Sequence, residues 1–324
     1  MKKLVIHAGP HKTGSTYIQK KLHENKDCLE KSGISYPNSY YLFYGHHYII
    51  NALNGSIPAE EIRDEILKEV GNLDTCILSS ENFFDLRESG VVKLKNAFPD
   101  VEITFIYYIR RPSIRLLSRW QETIKHGGTS AMSDYFLQHS LRPLASPELN
   151  LFNYVEMVRK HLGENSFSLI DYETARAEKN IFQNFKKAAN IDIDLHDTDE
   201  TVNAMMPISE IELIRYLNIR AQQDSLLSGA NIREKYTENR ALMANEISAF
   251  SNQLEKNLKE LTLGNVNYDN ILHNQLKSKF SDILINSTTP PKPKVYNIPD
   301  QNWIFNKHAL NIAEKVYCEI KSKI

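Results

Sequence analysis

The sequence predicts an α/β fold of three layers, α/β/α, with a central parallel sheet and a helical C-terminal half. Three observations carry this. Short β-branched apolar runs alternate with helix-spaced patterns through the first 200 residues, the run 103–109 is apolar throughout except for Thr104, and beyond residue 200 only helical patterns stand out. Alternating strand and helix signals imply crossover connections and a parallel sheet. A continuously apolar strand is one covered on both faces. Residues 1–200 are therefore expected to form the α/β core and residues 201–324 a helical flank or cap packed on it, as one structural domain.

In chain order, residues 4–7 read as a strand ended by Gly9-Pro10, and 15–31 as a helix with Tyr17, Ile18, Leu22 and Leu29 at helical spacing. Residues 34–36 and 75–79 read as strands, with a helix over 59–70 between them. After 103–109, Pro112 opens a helix, a position where the missing N–H costs nothing, and Trp120 falls in its core face. A strand over 167–170 leads to Asp171-Tyr172-Glu173, and a helix covers 181–189. Long helices are expected over 208–227 and 234–261, with no strand in this half. The proline-rich stretch 288–293 reads as an extended crossing before a last helix over 307–320, with Trp303 and Phe305 as docking residues.

The composition is that of an ordinary globular chain: 41% hydrophobic and 24% charged residues, with 12 glycines and 12 prolines. A net charge of -1 gives no overall reason to expect nucleic acid or an anionic membrane as partner, so any anion site must be local. Cys28, Cys76 and Cys318 are scattered without CxxC spacing, which suits a reducing, cytoplasmic setting. The N-terminal apolar run is too short for a secretory signal and no window is long enough for a membrane span.

Gly9-Pro10-His11-Lys12-Thr13-Gly14-Ser15-Thr16 lies between the first strand and the first helix, where backbone N–H groups and the helix dipole hold phosphate-like anions. Its two glycines have the spacing of GxxxxGK[ST], but residue 15 is serine where lysine is required, and the lysine stands inside the loop as Lys12. That argues against an ordinary ATPase or GTPase. A lysine there can neutralise the bridging oxygen that becomes the leaving oxygen in group transfer, while Ser15 and Thr16 add hydrogen-bond donors. The bland alternative is a polar turn.

A second anion site is indicated by Arg110, at the tip of the strand 103–109, and Ser118, two turns into the next helix. A guanidinium fork and a hydroxyl eight residues apart can grip one phosphate from two directions. The competing reading is that Arg110, Arg111, Arg115 and Arg119 form a solvated basic face.

The loop, followed by a helix, resembles the 5′-phosphosulfate loop of sulfotransferases that use 3′-phosphoadenosine 5′-phosphosulfate (PAPS), most nearly the bacterial carbohydrate-sulfotransferase-like branch. Arg110, Pro112 and Ser118 match the family's 3′-phosphate-binding arginine and serine, with proline two after the arginine. Residues 167–173 resemble the strand and Tyr-Glu pair that follow, so the resemblance spans about residues 4–190. It implies PAPS as sulfuryl donor, with His11, Lys12, Thr13, Gly14, Ser15, Thr16, Arg110 and Ser118 around it. The acceptor it implies is a hydroxyl on a glycan. No metal is required, since Lys12 supplies the charge that magnesium gives kinases.

A hydroxyl acceptor must lose its proton as the sulfur–oxygen bond forms. Glu81 follows the third strand, at the carboxyl edge where ligands bind in open α/β sheets; many sulfotransferases, which the chain resembles, carry a base there or on the strand before it. Its alternative role is to cap local backbone. His46 and His47 compete with it, each open to being a satisfied buried histidine, and His11 is a contact to the transferring group or a loop-shaping residue. A nucleotide-dependent kinase, or a non-catalytic nucleotide- or glycan-binding protein, remains the rival reading.

Overall fold

Five strands in the computed structural model line up in one sheet: β1 (Lys3–His7), β2 (Ile34–Ser35), β3 (Thr75–Ser79), β4 (Glu102–Ile109) and β5 (Phe167–Asp171). The structure describes residues 1–193, 195, 206–225, 229–262, 268–291 and 295–323. The strand order is β2-β3-β1-β4-β5 and every neighbouring pair is parallel, with Val5 opposite Ile77 on one side and Thr104 on the other. Successive side chains leave a strand on opposite faces, and both faces are apolar. Leu4, Ile6, Leu78, Phe105 and Tyr107 join one core with the helices Ala59–Val70, Glu88–Ala97 and Phe152–Leu162. Val5, Ile77, Ile106, Tyr108 and Ile170 join the other with Ser15–Glu24 and Ile181–Ala189. These are the three layers expected, and each large apolar side chain fully buried in them contributes about 1.5–3 kcal/mol.

The chain divides into two compact units. The sheet belongs to the first, made of Met1–Arg111, Asn150–Val202 and Asp269–Pro291; the second is Pro112–Leu149, Asn203–Tyr268 and Lys292–Ile324. In the second, helices Pro112–Lys125, Ile208–Gln223, Ala244–Glu255 and Lys307–Lys321 bury Leu116, Trp120, Leu217, Phe250, Trp303 and Val316 in a core of their own. Buried carboxylates there are paired, as burial of a charge demands. Glu212 accepts from Arg215 and from the Trp303 indole at 2.9 Å, and Glu210 accepts from Arg240 and the Tyr236 hydroxyl.

Several expectations are corrected, among them the single helix over 234–261, which is two helices, Gly229–Asn239 and Ala244–Glu255. The helix over 15–31 breaks at Asn25, whose side-chain amide donates at 2.8 Å to the Lys21 carbonyl that its own N–H also reaches, at 3.2 Å. The second half does contain strands: β6 (Leu258–Thr262) and β7 (Val295–Pro299) pair antiparallel, Leu258 with Pro299. Each is short, and each supplies the other's ladder from far along the chain, so neither shows in local periodicity. Of the two aromatic docking residues, Trp303 is buried but Phe305 is 82% exposed. Parts of the stretches 208–227 and 288–293 lie outside the described residues.

Candidate active site

In a parallel sheet all carboxyl ends open on one edge. The segments leaving β1, β3, β4 and β5 there carry the loop 9–16, Glu81, Arg110 and Glu173. Topology alone therefore gathers residues that are far apart in sequence.

The loop after β1 is tightly turned. Lys12 and Gly14 both have left-handed backbone, at φ 69° and 81°. A glycine takes this freely; a lysine needs something to hold it. The Arg110 guanidinium provides that by donating to the Lys12 carbonyl at 2.9 Å. The two elements that the sequence separately suggested as anion sites thus share a hydrogen bond. Thr13 and Ser15 hydroxyls donate inward to the Pro10 carbonyl, at 2.7 and 3.3 Å, whereas Lys12 and Thr16 are exposed. Gly14 caps the helix Ser15–Glu24 without a side-chain hydrogen bond, so the first-turn N–H groups are not taken by a side-chain cap and the helix end suits an anion. Gly9 is needed for space: a Cβ there would lie 2.8 Å from His7 Nε2. His7 is buried, with Nδ1 on the Ser79 hydroxyl at 2.7 Å, and burial pushes its pKa down to about 4 against the opposing charge of Glu81. Its Nε2 has no hydrogen-bond partner among the described residues.

Glu81 stands between two imidazoles. His11 Nδ1 lies 3.6 Å from its Oε1 and His47 Nδ1 3.7 Å from its Oε2, which also accepts from the Gln19 amide at 2.8 Å. Burial pushes the carboxyl up, but the Gln19 hydrogen bond, its own backbone N–H, and the His47 and His11 imidazoles together hold it below its ordinary value. Glu81 is thus an ionised group flanked by an amide and two imidazoles. His47 Nδ1 is also 3.0 Å from the Ser80 hydroxyl, which accepts from the Asn82 N–H. His46 is separated from this chemistry. It is fully buried, with Nδ1 accepting from the Ser79 N–H at 3.0 Å and Nε2 donating to the Pro37 carbonyl at 2.9 Å, and burial pushes its pKa down to about 4. Of the paired histidines, His46 is structural and His47 faces Glu81.

Arg110 is 6% exposed. Besides Lys12, it meets the Glu173 carboxylate, Nε to Oε1 at 3.7 Å, and the Tyr172 ring. Glu173 Oε2 accepts from the Arg111 N–H at 3.3 Å. Ser118 is buried on the helix Pro112–Lys125, in the second unit, whereas Arg110 ends the β4 segment of the first.

Sequence reasoning missed Gln19, Ser80 and His7. Gln19 had a signal: it lies four residues after Ser15, on the same helix face as the loop's end. Ser80 and His7 act through contacts that only the assembled sheet creates.

No family model matches the chain, and no curated protein matches it. One solved structure, described as a sulfotransferase from Alicyclobacillus acidocaldarius, is similar over 68% of this chain and 96% of that one, with a TM-score of 0.42 and 13% identity. A likeness of this size bears on neither chemistry nor substrate.

Proposed function

We propose that the protein transfers a sulfuryl group from PAPS to an acceptor hydroxyl. The observation that carries this reading is the meeting, on one sheet edge, of a phosphate-type loop with an internal lysine, an arginine bonded to that loop, and a carboxylate paired with imidazoles. The cradle fits the donor: left-handed backbone at Lys12 and Gly14, and a helix end without a side-chain cap.

PAPS supplies an activated sulfuryl group on a phosphate leaving group. Residues 11–16 hold the 5′ end, with Lys12 neutralising charge that builds on the leaving oxygen and Thr13 and Ser15 keeping the loop in shape. Arg110, bonded to the loop, holds the 3′-phosphate. His47 takes the acceptor's proton at Nε2 while Nδ1 faces Ser80 and Glu81, and the ionised Glu81 stabilises the imidazolium that forms. His11, sharing Glu81 from the loop side, places a further hydrogen bond near the transferring group. The acceptor is a glycan hydroxyl; Phe43, Tyr44 and Tyr48, beside His47 in the chain, expose ring surface of the kind that lines sugar and other small-ligand sites.

Calorimetry with adenosine 3′,5′-bisphosphate and adenosine 5′-monophosphate tests the donor. Wild type should prefer the bisphosphate, and Arg110→Ala should lose at least tenfold of that preference, in line with a charge-assisted phosphate contact. Equal binding of the two nucleotides would sink the reading.

A further inference from the structure

Glu173 is an odd neighbour for an anion-binding arginine. Its carboxylate is largely buried at the end of β5, facing the Arg110 guanidinium and accepting from the Arg111 N–H. A second carboxylate, Asp171, stands two residues before it, capping the Thr174 N–H at 2.8 Å. Without ligand, the negative charge of Glu173 balances buried Arg110. An anion on that guanidinium adds a negative charge beside two carboxylates already out of water, where like charges repel strongly.

We propose that Glu173 takes up a proton when a phosphate- or sulfate-type anion occupies Arg110, so that anion binding at this edge of the sheet is coupled to protonation. The proton comes from solvent and goes to the Glu173 carboxylate, which changes from the counter-ion of Arg110 into a neutral neighbour of the bound anion. The inference rests on the proposed function for the identity of the anion, but not for the coupling itself.

The charged groups acting on Glu173 are Asp171 on its own segment and Arg110 and Arg111 on the segment after β4; His273, from the helix Tyr268–Ser278, acts on Asp171. Burial pushes the Glu173 carboxyl up, Asp171 adds to this, and the two arginines oppose it, leaving it at about 7. A group poised there needs only a modest added negative charge to be protonated at neutral pH. Tight ion-pair geometry with Arg110 would hold it ionised, but the separation of 3.7 Å is loose.

The test is calorimetry with adenosine 3′,5′-bisphosphate and with sulfate, each at pH 7 and 8, in two buffers of different ionisation heat. Wild type and Glu173→Gln are compared, so that titration of the ligand's own phosphates cancels. Wild type should take up to one more proton than the variant. Its affinity should fall by up to about tenfold relative to the variant between pH 7 and 8. The amide, which keeps an oxygen for the Arg111 N–H, should bind the anion more tightly than wild type at pH 8. Bisphosphate binding with the same proton uptake in both proteins, or weaker binding by the variant at both pH values, overturns the coupling and leaves the proposed function standing. Sulfate binding with proton uptake but no binding of the bisphosphate overturns the proposed function and keeps the coupling. Binding of neither ligand overturns both.

Discussion

Glu81 owes its charge to its company. One amide and two imidazoles outweigh the desolvation of a largely buried carboxyl, so a residue that looks in sequence like a free general base is better suited to stabilising charge on a neighbour. The adjacent histidines show the limit of sequence reading at this scale. His46 and His47 are indistinguishable there, and their roles are decided by the Pro37 carbonyl and Ser79 N–H, which claim one ring, and by Ser80 and Glu81, which face the other. Their alanine variants should therefore part company. His47→Ala should lower sulfuryl transfer by about 10²–10⁴-fold and leave the melting temperature within a few degrees of wild type. His46→Ala should cost about 1–3 kcal/mol of stability by leaving buried backbone groups unpaired, read as a drop in melting temperature.

Among the elements, the parallel strands were legible because each is buried on both faces and so carries an unbroken apolar run. β3 falls on residues 75–79 as expected, and β4 differs by one residue at its start. The helices Ala59–Val70 and Ile181–Ala189 were equally clear, each with apolar residues on one stripe. What stayed hidden was pairing over distance: β6 with β7, and the tight turn at Leu42–Gly45, where the two residues exchange backbone hydrogen bonds of 2.7 and 3.1 Å. That turn sets the segment bearing His46 and His47 against the sheet edge. A Cβ on Gly45 would lie 2.9 Å from the Ser79 carbonyl oxygen and 2.9 Å from the Gln19 amide. Gly45→Ala should push the turn away from both, costing about 1–3 kcal/mol as overpacking does. The transfer rate should fall too, since Gln19 holds Glu81; thermal melting and a sulfuryl-transfer assay check the two parts.

Across the molecule, the loops proposed to bind anions stood out in the sequence because lysine, arginine and glycines sit at strand ends, yet the charges behind them emerge only with burial. Those charges shape the response to acid. His7 and His46 have folded pKa values near 4 against about 6.5 for an unfolded histidine, so they leave stability intact above pH 6.5 and cost up to about 3 kcal/mol each as pH falls toward 4. Glu173, raised to about 7, acts in the opposite sense: it penalises the fold above pH 7, and the penalty fades as pH falls to the ordinary carboxyl value of 4.5. In wild type it offsets part of the histidine loss. Glu173→Gln should therefore melt higher than wild type at pH 8 and lose more of its melting temperature between pH 7 and 4.5, as calorimetric scans across that range would show. Among the described residues no helix is long and apolar enough to cross a membrane.

The space shared by Gly9 and the His7 ring has an evolutionary meaning. Because a Cβ at position 9 would press within 2.8 Å of the imidazole at position 7, position 9 is not free to gain a side chain while the ring keeps its place. A lineage that replaced His7 by a smaller side chain would release Gly9 from selection, and one that gained a side chain at position 9 would first have had to lose the histidine. The constraint runs one way: position 7 changes first, and position 9 only after it.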